Sequence, residues 1–329
     1  MIGNIRTTMN CFCYIIMAEI RNFFLVYTMQ RNRNYLTSCS QWLGDGTFRT
    51  APAILIQFYV LHGLKYKTLP LVYLIALNKS KTIYIQFLKL LRERIPNYLP
   101  DRLMINFEPA FIEYFKNVYS GTQICGYNFH FSKCVYKHVQ QYGLQNQYNN
   151  DMKFLMIVRL MALAFVPTQD VVAAFEEIVS SDYYERHNDL FDNLLEYFEM
   201  TWVGKVKHNK TKREKPIFPS RMWNCYNAVL KDFIRSNNPC EGWNSGFNAR
   251  VGQAHPSIAE LVKSLKDEQN KTDILMTRIE SGLDVVAGRL KAYQNYADRL
   301  KRVAQNYDPS RKLEYLNNIA KILASKSYM

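Results

Sequence analysis

From residue 22 onward the chain runs in two successive rhythms. Short apolar runs come first: NFFLVYT (22–28), ILIQFYVLHG (54–63) and LPLVYLIAL (69–77), rich in branched and aromatic residues and bounded by Gly63, Pro70 and Asn78. These predict strands. A shorter apolar segment, residues 40–48, holds Trp42, Leu43 and Phe48 around Asp45 and Gly46. Links as short as these predict antiparallel neighbours. The period then changes. In TIYIQFLKLLRERI (82–95), Ile83, Phe87, Leu90, Leu91 and Ile95 recur at three and four residues, the spacing of an amphipathic helix, with Pro96 and Pro100 beyond it.

RLMINFE (102–108) then reads as a strand returning to the sheet after that helical crossover. Pro109 starts a helix carrying Phe111, Ile112, Phe115 and Val118. TQICGYNF (122–129) is a further strand and FSKCVYKHVQQYG (131–143) a helix. Residues 151–235 read almost wholly as helices, broken by a basic stretch at 203–221. The chain after Pro256 is helical with long polar faces. Strands and helices alternating before a helical block predict an α/β fold, a mixed sheet with helices on its faces. CFCYIIMAEIRNFFLVY (11–27) is interrupted by Glu19 and Arg21, so neither part is long enough to span a membrane. It reads as a buried start to the domain.

Composition narrows the classes. Apolar residues make up 48% of 329, which excludes a disordered chain and permits a sizeable core. A net charge of +14 favours a polyanionic partner. Seven scattered cysteines fit a reducing compartment better than a disulfide framework, and Cys11 and Cys13 have no distal pair with which to make a zinc site. Residues 203–221 hold Lys205, Lys207, Lys210, Lys212, Arg213, Lys215 and Arg221 against Glu214 alone. This loop is either a contact for nucleic-acid phosphates or simply a solvated segment.

The acids raise a sharper question. In-line displacement at phosphorus uses two divalent cations, and hard cations take carboxylate oxygens. Asp45 is either a turn residue or a carboxylate presented at a strand edge. Strand alternation puts Asn106 and Glu108 on one face, roughly 6–7 Å apart. Glu108 also suits a helix start. Glu241 follows Asn238 and Pro239, which explains it as a capping-box acid without chemistry; the other reading is a metal ligand.

Seven segments then appear in one order: WLGDGTFRTAP (42–52), QFYVLHG (57–63), PLVYLIALNKSKTIY (70–84), INFEPAF (105–111), ICGYNFHFSK (124–133), LMALAFVP (160–167) and NNPCEGWN (237–244). Together they resemble the Mutator-like element (MULE) transposase domain of transposon-derived eukaryotic proteins, some of which also carry FLYWCH zinc fingers. The resemblance implies an RNase H-like fold with an all-helical insertion before the last acid. It divides the chain into a core at 1–150, an insertion at 151–236 containing the basic loop, a returning core helix at 237–255, and a helical extension at 256–329. It also implies cut-and-paste DNA transposition at an Asp-Asp-Glu site holding Mg²⁺ or Mn²⁺ when active. Asp45 matches the first acid and Glu241 the third. The second acid falls at Asn106, with Glu108 a weak substitute as metal ligand.

The family's Gly-Cys-x-Phe-His becomes Gly126-Tyr127-Asn128-Phe129-His130 here, which keeps His130 as an auxiliary residue, a plain junction histidine or a remnant. Implied partners are double-stranded DNA, contacted by Lys205, Lys207, Lys210, Lys212, Arg213 and Lys215, and a second copy on paired DNA ends. No membrane is implied. The implied setting is the nucleus, with a separate DNA-reading domain expected outside this chain. An amide at 106 forgoes one charge against the cations. At an effective dielectric near 20 and a separation of 4 Å that is about 4 kcal/mol. The expectation is therefore a transposase-derived DNA-binding domain with impaired catalysis. The alternatives are an active metal-dependent recombinase and a non-enzymatic DNA- or protein-binding scaffold.

Overall fold

The computed structural model describes residues 2–7, 11–17, 22–47, 50–145, 151–182, 188–207, 212–283 and 291–327. Two compact units divide the chain. One comprises residues 1–124 with 237–287, the other 125–236 with 288–329.

The first unit is built on a mixed sheet. Its strands are β1 (Ile2–Thr7), β2 (Cys11–Met17), β3 (Phe23–Met29), β4 (Gln41–Thr47), β5 (Gln57–Leu64), β6 (Thr68–Ala76), β7 (Arg102–Ile105) and β8 (Gln123–Gly126). They lie in the order β1-β2-β3-β6-β5-β4-β7-β8. Pairing is antiparallel from β1 through to β4, and β7 runs parallel to β4. The helical crossover explains that switch. Helix α2 (Lys81–Arg94) carries the chain from β6 back to β4's far side, delivering β7 in β4's direction. The α/β class stands: a mixed sheet flanked by helices, with a large helical region after it, in an RNase H-like arrangement.

Helices cover both faces of the sheet. Buried on both sides, β5 shows no hydrophobic alternation. Phe58 and Val60 join Tyr73, Ile75 and Leu25 in a core with Phe247 on α10 (Asn238–Val251) and Leu261 and Leu265 on α11 (Ile258–Glu280). On the other face Tyr59 meets Phe111 of α3 (Pro109–Val118), ring centroids 5.3 Å apart, and Phe111 meets Tyr84 of α2 at 5.2 Å.

The structure sharpens the reading of four segments, shortening two of the expected strands. Residues 11–27, read as a buried start to the domain, hold β2 and most of β3, the strand expected at 22–28, and the two pair antiparallel. The polar QRNRN after β3 opens helix α1 (Gln30–Leu36). Its fully buried Asn32 is satisfied inside: Nδ2 donates to the Leu71 carbonyl at 3.0 Å and to Gln269 at 2.8 Å. The strand read at 102–108 ends at Ile105, and the one read at 122–129 covers only Gln123–Gly126.

The second unit is helical. It contains α4 (Asn128–Gln141), α5 (Asp151–Ala162), α6 (Val171–Val179), α7 (Asn188–Phe198), the short α8 (Ser220–Trp223) and α9 (Tyr226–Leu230), α12 (Lys291–Gln305) and α13 (Lys312–Ser327). Its core is aromatic. Phe131 stacks on Trp223 at 4.9 Å and meets Trp202 edge-on at 4.8 Å, with all three fully buried.

Candidate functional site

Asp45 lies inside β4, opposite Val60 of β5 and therefore on the sheet face that α10 covers. Its neighbour Gly44 faces the other way. A Cβ there would meet the Tyr59 hydroxyl at 1.9 Å, so the residue before Asp45 has room only for glycine. The Asp-Gly dipeptide is thus a strand segment shaped by a close approach, and the hairpin-turn reading falls away.

Asp45 is only 5% exposed. Its Oδ1 accepts the Gly46 N–H at 2.9 Å and the Asn106 Nδ2 at 3.2 Å, and its Oδ2 accepts the Asn244 Nδ2 at 3.1 Å. Burial pushes its carboxyl above the usual range. Hydrogen bonds from Asn106, the Gly46 N–H and Asn237 oppose that push, and the nearby charge of Glu241 reinforces it.

Asn106 follows the end of β7, the parallel neighbour of β4, which is why it reaches Asp45. Glu108 parts from it. The Glu108 N–H donates to the Asn106 carbonyl at 2.8 Å, closing a turn that ends the alternation. The Glu108 carboxylate instead accepts the Tyr84 hydroxyl at 2.8 Å, and Tyr84 also bonds Gln57. Asn106 and Glu108 therefore do not share a strand face.

Glu241 sits in the first turn of α10 and is exposed. The expected capping box is absent: Asn237 is the N-cap residue and makes no side-chain cap bond. Its Nδ2 donates instead to Glu241 Oε1 at 2.8 Å. Asn244, three residues beyond Glu241, occupies the same helix face and is 9% exposed. Neither Asn244 nor Asn237 stands out in the sequence as a site residue. The i, i+3 spacing from Glu241 was the available signal for Asn244.

Two further residues underlie this helix. His62 and Cys240 are both fully buried, with Nδ1 and Sγ 3.6 Å apart. Burial drives the His62 pKa from 6.5 to about 3, so its imidazole is neutral. Trp243 stacks on Phe247 at 4.9 Å and donates its Nε1 to Glu268 at 2.6 Å, tying α10 to α11.

The remaining sequence candidates belong to the helical unit. His130 lies on α4, its ring against Tyr127 and Phe129. Lys205 pairs with Glu196 at 2.7 Å. Arg213 binds Glu199 at 2.6 Å, Glu176 at 2.8 Å and the Gly204 carbonyl at 2.6 Å. Lys207, Lys212 and Lys215 are exposed, with no ion pair among the described residues. Lys210 lies outside the described residues.

The donor chemistry can be set against a pair of divalent cations. Two carboxylates are present, Asp45 and Glu241, and each already accepts amide hydrogen bonds. The third position is a neutral amide. Among the described residues no group of three or more His, Cys, Asp or Glu side chains is placed to hold a metal ion. This set does not fit a two-cation centre. Among the same residues, no helix is long and apolar enough to cross a membrane. None of the described cysteines, Cys39, Cys125, Cys134, Cys225 and Cys240, is in a disulfide. Neither a scan of protein-family models nor a search of curated proteins gave a match for the chain.

Proposed function

We propose that this chain is a transposase-related, RNase H-like DNA-binding domain whose metal-dependent strand chemistry is impaired at Asn106. One observation carries the reading. Asp45 lies within a central strand of the sheet, and the side chain that reaches it from the adjacent parallel strand is an amide at 3.2 Å, not a second carboxylate. With α10 carrying Glu241 beside it, the arrangement retains the places of a three-acid site and the charge of only two.

What these residues do instead is hold one another. Amide N–H groups from Asn106 and Asn244 take the lone pairs of Asp45 that a cation would need. The +14 charge supports retained attraction to a polyanion. Nuclear location and the pairing of two copies on DNA ends belong to the same reading.

The test uses the full chain with labelled duplex DNA. Binding that weakens steeply with salt, without nicking in Mg²⁺ or Mn²⁺, is the expected result. Metal-dependent nicking by the native chain that disappears in Asp45→Ala would overturn the impairment and favour the active recombinase. Absence of duplex binding at low salt would overturn the DNA reading itself.

A further inference from the structure

Helices α12 and α13 turn back on each other through residues 306–311 and enclose an open cleft of about 520 Å³. Its floor is firm: Tyr315 is 5% exposed and donates its hydroxyl to the Phe165 carbonyl. Arg299 and Arg302 line one wall, three residues apart and so on one face of α12. Lys321 of α13 lines the other.

The acids in the cleft are already engaged. Glu314 pairs with Arg311, and Asp308 Oδ1 accepts both the N–H and the hydroxyl of Ser310, at 2.8 and 2.7 Å. Arg299, Arg302 and Lys321 remain exposed, with no ion pair among the described residues. The cleft lining therefore holds four cations (Arg299, Arg302, Arg311 and Lys321) against two acids (Asp308 and Glu314), a net charge of +2.

We infer that the α12–α13 cleft is a phosphate seat, with Arg299, Arg302 and Lys321 gripping the backbone of a nucleic acid. Two guanidinium forks and an ammonium can donate to more oxygens than one carboxylate offers, and phosphate meets that geometry. The cleft is open and its cations are solvent-exposed, so a polymer can run through it where a closed pocket would admit only a small anion. The choice of nucleic acid rests on the function proposed above; the cleft itself does not.

Fluorescence anisotropy of a labelled duplex, titrated with the full chain across a salt series, tests this. In the Arg299→Gln/Arg302→Gln/Lys321→Gln variant, affinity at low salt falls at least about tenfold, and the log–log salt slope shrinks by about 2–3. Arg311→Gln/Glu314→Gln, which removes an ion pair and no net charge, keeps the native slope. Should the triple variant lose its helical circular dichroism signal, Arg302→Gln alone carries the test, with the slope falling by about 1. Native-like binding by the variants overturns the seat while the DNA reading survives; no binding by the native chain fails the DNA reading. Two further arms use inorganic phosphate and polyglutamate. If either protects the native cleft against heat but not the triple variant, while DNA binding is the same in both, the ligand is a free anion or an acidic protein and the inference falls.

Discussion

The two units handle charge in opposite ways. In the α/β unit the central acid is buried, ringed by amides and fully hydrogen-bonded. In the helical unit Arg299, Arg302 and Lys321 of the α12–α13 cleft are exposed, with no ion pair among the described residues. A buried charge is held by specific geometry and is sensitive to any change in its neighbours. An exposed cluster is screened by salt and tolerant of neighbours, yet it acts on partners at longer range. The contrast separates two properties a DNA-processing protein combines: attraction to the polymer, and a carboxylate set for its chemistry. On the function proposed above, this chain has cations available for the first and one acid too few for the second.

The largest effect comes from the packing that brings α10 to the sheet. Phe247 is 1% exposed and stacks on Phe58 at 5.6 Å and on Trp243 at 4.9 Å. Phe247→Ala should cost about 3–5 kcal/mol, seen as a lower denaturant midpoint. A loss below about 1 kcal/mol would mean that α10 is held mainly by its polar bonds and not by this core. Next in size is Asn106→Asp. It places a second carboxylate against Asp45 and should cost about 1–3 kcal/mol at neutral pH in chelator. Millimolar Mg²⁺ or Mn²⁺ should return that stability to the variant while leaving the native melting temperature unchanged. A native chain stabilised as strongly as the variant would erase the contrast, because its amides would then serve as ligands.

Much of this was legible beforehand, for reasons that differ by element. The strands β5 and β6 are runs of branched and aromatic residues with few alternatives, and the three-to-four spacing from Ile83 to Leu91 matched α2. Antiparallel pairing followed from short links. The end of β7 was not legible. Asn106 and Glu108 look alike by alternation, and only the turn between them sends one to Asp45 and the other to Tyr84. Helix α1 was hidden because its buried polar residues find partners on distant segments, Leu71 and Gln269. The part played by Asn244 needed the register of α10 against β4, which periodicity alone cannot supply. His62 was similarly obscure: within an apolar run, nothing marks a histidine that will sit fully buried against Cys240.

The smallest predicted effect isolates the buried charge itself. The Asp45 carboxyl titrates higher in the folded chain than in the unfolded one, chiefly because burial penalises its charge. The folded state therefore binds the extra proton, and stability falls as pH rises from the ordinary aspartate value through the raised one. His62 works the other way. With its pKa lowered from 6.5 to about 3, it withholds a proton that the unfolded chain accepts, so stability falls as pH drops through that window. The native acid profile is the sum of these opposing limbs. Asp45→Asn is isosteric and removes one limb. The Asn106 and Asn244 amides can each turn to present their buried, unpartnered Oδ1 to the new NH₂ group. A gain at neutral pH of no more than about 1.5 kcal/mol, the net worth of one hydrogen bond, is expected. Acidification below pH 6.5 should then destabilise the variant more steeply than the native chain, since only the His62 limb remains. Denaturant midpoints measured across this range check both signs. Identical profiles for the two proteins would mean that Asp45 is no harder to ionise when folded, and the buried half of the contrast would lose its physical basis.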